Sequence, residues 1–139
     1  MTAEPTTAAE RDEPDGSILQ AVSNEMVRLF KEQFGRGPTR ARSDWAGPDV
    51  LTVVLEDTLT PAERNLAQMG AHDRLRENRM FFQYASANEF CEPIERLTGR
   101  RVRAFASAID TMVDGLCVET FVLHPRGFEG TSRTELPKG

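Results

Sequence analysis

At 139 residues the chain has room for one domain with a proper core and too little for two. An apolar share of 39% beside 28% charged residues suits a soluble globular body, and no apolar run approaches the roughly 18 residues that span a bilayer. The formal net charge is −5, but residues 1–16 hold five acids against Arg11 alone, so the rest is close to neutral and no nucleic-acid partner is expected.

The opening stretch, "MTAEPTTAAERDEPDG", lacks the basic and apolar regions of a secretory signal, and a cytoplasmic location is the expectation. Its composition shows no apolar periodicity, so residues 1–16 are expected to form a disordered acidic tail, with order beginning at Asp15 or Ser17. From there Leu19, Val22, Met26, Leu29 or Phe30, and Phe34 recur at spacings of three and four, the pattern of one buried helix face. Gly35 is placed to stop this helix and Pro38 forbids its continuation.

The "GRGP" that follows has the glycines of a phosphate-binding loop. It lacks the length, the lysine and the Ser/Thr, and it follows a helix where such a loop follows a strand. Gly35 and Gly37 are better explained by backbone geometry. A hairpin comes next: "PTRARSDW", a turn at "AGPD", then "VLTVVLED". Alternation puts Arg40, Arg42 and Asp44 on one face of the first strand and Ala41, Ser43 and Trp45 on the other. The second strand is apolar on both faces, so it should lie centrally or have its outer face covered by a second copy of the chain.

"LTPAERNL" carries a capping box, with Thr60 at the N-cap, Pro61 at the first helical position and Glu63 three residues after the cap. The helix is predicted to run from Pro61 to about Tyr84, through a polar middle whose only large apolar residue is Leu75. A second box, Ser86 with Glu89, predicts a break and a shorter helix to Leu97, which Pro93 should bend or delay. "RRVRAFASAID" and "GLCVETFVLH" form the last hairpin, with Val102, Ala104, Ala106 and Ala108 assigned to one face. Residues 125–139 read as a disordered tail.

The fold class is therefore α+β: a two-layer sandwich, order α-β-β-α-α-β-β, with helices on one face of a four-stranded, largely antiparallel sheet and a single domain over residues 17–124. Cys91 and Cys117 read as free, buried thiols. The two histidines stand at no metal-ligand spacing, and no cofactor, metal or catalytic residue is expected. The arginines are the remaining candidates. Arg36, Arg40, Arg42, Arg76, Arg79 and Arg103 could form a patch for a small anion or an acidic partner if the first and third strands met; otherwise they pair with carboxylates of about equal number.

The runs "SNEMVRLFKEQFGRGPTRARSDWAGPDVLTVVLEDTLTPAERNLAQMG", "LRENRMFFQY" and "LTGRRVRAFASAID" resemble the MpsC-like family. These are small bacterial proteins named for one component of a sodium-translocating, membrane-potential-generating system. The resemblance spans residues 18–124, and "GRGP" with "LEDTLTPAE" are its most specific pieces. It implies a soluble accessory protein tied to a membrane system for sodium or bicarbonate handling. It also implies that Gly35, Arg36, Gly37 and Pro38 belong to one structural unit with Glu56, Asp57, Thr60 and Glu63. Three functional expectations follow: a non-enzymatic accessory protein acting as a homodimer and associating with a membrane transport system, a small-anion sensor, or a small RNA-binding α+β module.

Overall fold

The computed structural model describes residues 8–134, and the elements run α1 (Ala8–Phe34), β1 (Arg40–Trp45), β2 (Val50–Glu56), α2 (Pro61–Gln68), α3 (His72–Ala85), α4 (Ala87–Thr98), β3 (Val102–Asp110) and β4 (Leu116–Leu123). All strand pairings are antiparallel, and the sheet order is β1-β2-β4-β3. Each hairpin thus contributes one central strand, β2 or β4, and one edge strand. The doubly apolar β2 lies centrally, one of the two placements its sequence allowed.

The core fills the space between the helices and one face of this sheet. Val22, Met26, Leu29 and Phe30 of α1 meet Leu51, Val53 and Leu55 of β2. Phe90 and Ile94 of α4 meet Phe105 and Phe121, whose rings stand 5.1 Å apart. The serine pair Ser23 and Ser43, 2.7 Å apart, satisfies the two buried hydroxyls where α1 crosses β1.

On the other face, no helix among the described residues covers the sheet. Four rows of cross-strand neighbours make up this face, fixed by the register. One end row is Arg40, Glu56, Leu116 and Asp110. The next two are Arg42, Val54, Val118, Ala108 and Asp44, Thr52, Thr120, Ala106. The last holds Val50, Val122 and Ala104. On the central strands, no side chain in the interior of this face is larger than valine.

Several sequence expectations need correction. The first helix begins at Ala8, so residues 8–16, expected to be tail, are helical; residues 1–7 lie outside the described residues. Extending a formed helix costs far less than nucleating one, and Ala8, Ala9, Glu10 and Arg11 are good helix formers. The long helix from Pro61 to Tyr84 is in fact two. Gly70 takes a left-handed φ of +78°, its N–H returns to Ala67 O (3.0 Å), and Ala71 N–H returns to Leu66 O (2.9 Å). These bonds satisfy the last carbonyls of α2 and end it, a stop signal that the polar run after it concealed.

The box at Ser86 does not form, because its hydroxyl points to Gln33 Oε1 (3.2 Å) instead. Pro93 lies inside α4 without delaying it: the helix starts at Ala87, and the proline ring is buried. A bulge between Val102 and Ala104 flips the phase of β3, so Val102 joins the core while Ala104, Ala106 and Ala108 stay outside. Beyond β4 the chain has no helix or strand up to Thr134 yet keeps contacts. Phe128 stacks on His124 with centroids 3.8 Å apart, Ser132 bonds Glu95, and Arg133 reaches Asn88 Oδ1 (3.2 Å).

At the start of β4, Gly115 adopts φ +75° where a Cβ would lie 2.6 Å from the Leu59 side chain. Gly115→Ala is therefore expected to destabilise the protein by about 2–4 kcal/mol, combining overpacking with a left-handed backbone cost. Equilibrium urea unfolding measures this as a lower midpoint at unchanged slope.

Candidate functional site

The corner after α1 and the loop after β2 are joined by Arg36. Its Nη1 donates to Asp57 O (2.8 Å) and Leu59 O (2.7 Å), and its Nη2 to Asp57 Oδ2 (3.3 Å). Thr39 N–H adds a bond to Glu56 O (3.0 Å). Asp57 has φ +58°, a conformation that aspartate tolerates better than most residues, and Arg64 holds its second oxygen at 2.6 Å. Burial pushes the Asp57 carboxyl up, but Arg36 and Arg64 outweigh it and hold it below the usual range. The unit implied by "GRGP" and "LEDTLTPAE" is thus a physical contact.

The capping box then passes this restraint to α2 and α3. Thr60 N–H donates to Glu63 Oε1 (2.8 Å), and Glu63 N–H donates to Thr60 Oγ1 (3.2 Å). The same Glu63 carboxylate receives Arg79 Nη2 at 2.5 Å and Nε at 3.0 Å, a two-pronged ion pair. Arg79, 0% exposed, also donates from Nη1 to Thr58 Oγ1 (3.0 Å) and Cys117 Sγ (3.5 Å), and from Nη2 to Thr58 O (2.9 Å). Its five N–H groups thus have five acceptors. Its guanidinium carbon sits 4.2 Å from the centroid of the Phe34 ring, so the planar cation is also covered by an aromatic from α1.

One turn further along α3, Gln83 enters the same layer. Its Nε2 donates to Glu119 Oε2 (3.0 Å) and Ser107 Oγ (3.1 Å), and Ser107 Oγ donates to Glu119 Oε2 (2.9 Å). Glu119 stands on the central strand β4 with 0% exposure. Gln83 Oε1 and Glu119 Oε1 are buried without a hydrogen-bond partner among the described residues. Burial drives the Glu119 carboxyl up to about 8, against the opposing pull of Ser107, Gln83 and the Arg79 charge. At neutral pH it is chiefly the neutral acid, which adds an O–H donor to those of Gln83 and Ser107. Burial likewise lifts the Cys117 thiol to about 12 and Cys91 to about 11, so neither supplies a thiolate nucleophile.

The other arginines go elsewhere. β1 and β3 are opposite edges, roughly 14 Å apart across three strand spacings, so Arg40 and Arg42 cannot share a small anion with Arg103. Arg42 lies 3.7 Å from Asp44, Arg76 donates to Thr111 Oγ1 (3.1 Å) and pairs with Asp73, and Arg103 is exposed at the bulge. Arg36 and Arg79 are committed to internal acceptors. The six therefore do not converge into a basic patch. Gln83 and Glu119 were not among the sequence candidates. A signal existed: "LCVETFVL" puts a glutamate in phase with Cys117, Phe121 and Leu123 on the core-facing side.

These features define a class: a small two-layer α+β protein whose sheet and helices are clasped by a saturated buried arginine. The model of the family described as Na+-translocating membrane potential-generating system (MpsC) matches residues 15–125, and the chain belongs to that family. Comparison with curated proteins gave no match, and comparison with solved structures gave none.

Arg79→Met is expected to cost about 3–5 kcal/mol, because it leaves the part-buried Glu63 carboxylate and Thr58 carbonyl unanswered. Adding Glu63→Gln should recover part of that loss, measured by denaturant unfolding of the single and double variants. For Glu119 the native pKa of about 8 exceeds the ordinary 4.5, so its contribution is complete below pH 4.5 and is lost as pH rises towards 8. Glu119→Gln should remove this slope. Its stability gain over the wild type should grow from pH 5 to pH 8, to at most about 5 kcal/mol. Thermal melts at several pH values check this.

Proposed function

We propose that this protein is a non-catalytic accessory component of a Na+-translocating, membrane-potential-generating system, that it works in the cytoplasm, and that it self-associates through the uncovered face of its sheet. Family membership supports the association with the system. No helix among the described residues is long and apolar enough to cross a membrane, which fits a component that meets its membrane partner through a protein surface.

The observation that carries the self-association is the uncovered face itself. β2 and β4 present Val50, Thr52, Val54, Val118, Thr120 and Val122 there, flanked by the alanines of β3. Alternating strands in a sheet with one wet face carry polar residues outward. Here the outward set is mostly valine, threonine and alanine, over an area on the order of 400 Å² from the strand spacing and rise. That is the size of the largest apolar patch on an ordinary soluble monomer, and such patches are often functional. It is about half of what one partner buries in a standard interface, which suits a dimer of modest affinity.

Sedimentation across micromolar to sub-millimolar concentration is expected to show a monomer–dimer equilibrium. Thr120→Arg, in the middle of the face, should shift it to monomer while leaving the circular dichroism spectrum unchanged. A wild type that stays monomeric throughout would refute the self-association. The transport role has its own measurement: cells lacking the protein should lose Na+-dependent membrane potential, and the wild-type chain should restore it. An unchanged potential in the deletion would remove that role.

A further inference from the structure

The chain beyond β4 turns back onto the body. Pro125–Phe128 form a β-turn closed by Phe128 N–H on Pro125 O (3.2 Å), with Gly127 at φ +85° in the third position, as a type II turn requires. The turn lays the Phe128 ring on the His124 imidazole, with centroids 3.8 Å apart and planes 11° apart. Gly130 passes so near the far edge of this ring that a Cβ there would stand 2.4 Å from Phe128 Cζ. From this anchor the segment crosses α4. Ser132 Oγ donates to Glu95 Oε2, and Arg133 Nη1 donates to Asn88 Oδ1 (3.2 Å), two turns nearer the start of the helix.

The helix receives it with one stripe. Asn88, Cys91, Glu92 and Glu95 recur at spacings of three and four, so they share a face of α4. They line a cavity of about 310 Å³ whose remaining walls are Ser132 and Arg133. The stripe offers two carboxylates, and the segment brings one guanidinium to them, which also stands beside the Cys91 thiol. Beneath this cover Cys91 is 5% exposed. The cover itself is lightly held. After His124, no backbone–backbone hydrogen bond among the described residues joins the segment to the body. One ring stack and two side-chain bonds keep it in place, and the cavity shows that it spans the stripe without filling it. Contacts of this kind put a segment at the low end of local stability, where it opens without the body unfolding. The stripe lies within the residues that the family model matches, 15–125, and the segment lies outside them.

We propose that Phe128–Thr134 is a detachable strap, an intramolecular ligand seated in a peptide-binding groove on α4. The groove is closed in the free protein by the chain's own tail. An extended segment that carries an aromatic ring, a hydroxyl and an arginine at the same spacing occupies it only by displacing the strap, which makes the contact autoinhibitory. The groove lies on the helical side of the molecule, away from the uncovered face of the sheet, so this inference stands or falls apart from the self-association proposed above.

The chain's only two thiols test this on the full-length protein. Cys91 lies under the strap, whereas Cys117 on β4 is 0% exposed and reacts only when the body opens. The double variant Phe128→Ala/Arg133→Ala is expected to react with a dithiopyridine reagent at Cys91 about tenfold faster than the wild type or more, with Cys117 unchanged. A synthetic peptide of residues 125–134, added in trans, should slow Cys91 again with a saturable dependence on its concentration. It should bind the double variant about tenfold more tightly than the wild type or better, because the wild-type groove is already filled. The same peptide with alanine at both positions should do neither. Equal Cys91 rates in wild type and variant would show that the segment covers nothing. A rise at Cys117 alongside Cys91 would make the segment part of the folded body and not a strap. A freed Cys91 that the peptide does not protect would leave a cover without a binding groove. Each of these three results overturns the proposal.

Discussion

The buried Arg79 guanidinium is the interaction on which the arrangement of the helices depends. A charge taken out of water costs several kcal/mol unless its hydrogen bonds are replaced, and here all five are. The replacements come from the β2–α2 loop, from α2 and from β4, while Phe34 of α1 covers the cation's face. Arg36 fixes the same loop from the other side through its carbonyls. The loop is thus held between two arginines, one part-exposed and one fully buried, and its left-handed Asp57 is kept in place by both its backbone and its carboxylate.

Because α3 docks through Leu75, Arg79 and Gln83, its buried stripe is one aliphatic side chain followed by two polar ones. That explains how a helix with so polar a middle lies against a sheet. The sheet answers with matching polarity: Ser107 on β3 and Glu119 on β4. The protonated glutamate allows this layer to be polar without carrying a net negative charge. The outer face of the same sheet is the reverse case: its central strands carry mostly valine and threonine where polar side chains would be expected.

How much of this is legible in the sequence varies by element. The doubly apolar pattern of "VLTVVLED", the stop at Gly35 and the box at Thr60 each rest on local chemistry that tertiary contacts do not override. The break at Gly70 is hidden because α2 buries no residue and α3 opens on His72 and Asp73, and periodicity cannot place a helix end where there is no buried apolar stripe to lose. The helix upstream of Ser17 escapes notice for a related reason, since extension of an existing helix requires no new apolar residue. The bulge at Arg103 depends on pairing with β4 and has no local mark. Arg79 stands among the sequence candidates, but its partners Thr58, Glu63 and Cys117 lie 16 to 38 positions away, and only the fold brings them to it.

That scattering has a consequence for cooperativity. Thr58 belongs to the first hairpin's exit, Cys117 to the second hairpin, and Phe34 to the end of the first helix, so the guanidinium has no complete set of acceptors until both hairpins are paired. An arginine with some of its bonds made is worse placed in a core than one still in water. The helix carrying it therefore has its full set of bonds only when both hairpins are in place. The clasp in this way ties the stability of the docked helix to both halves of the sheet at once.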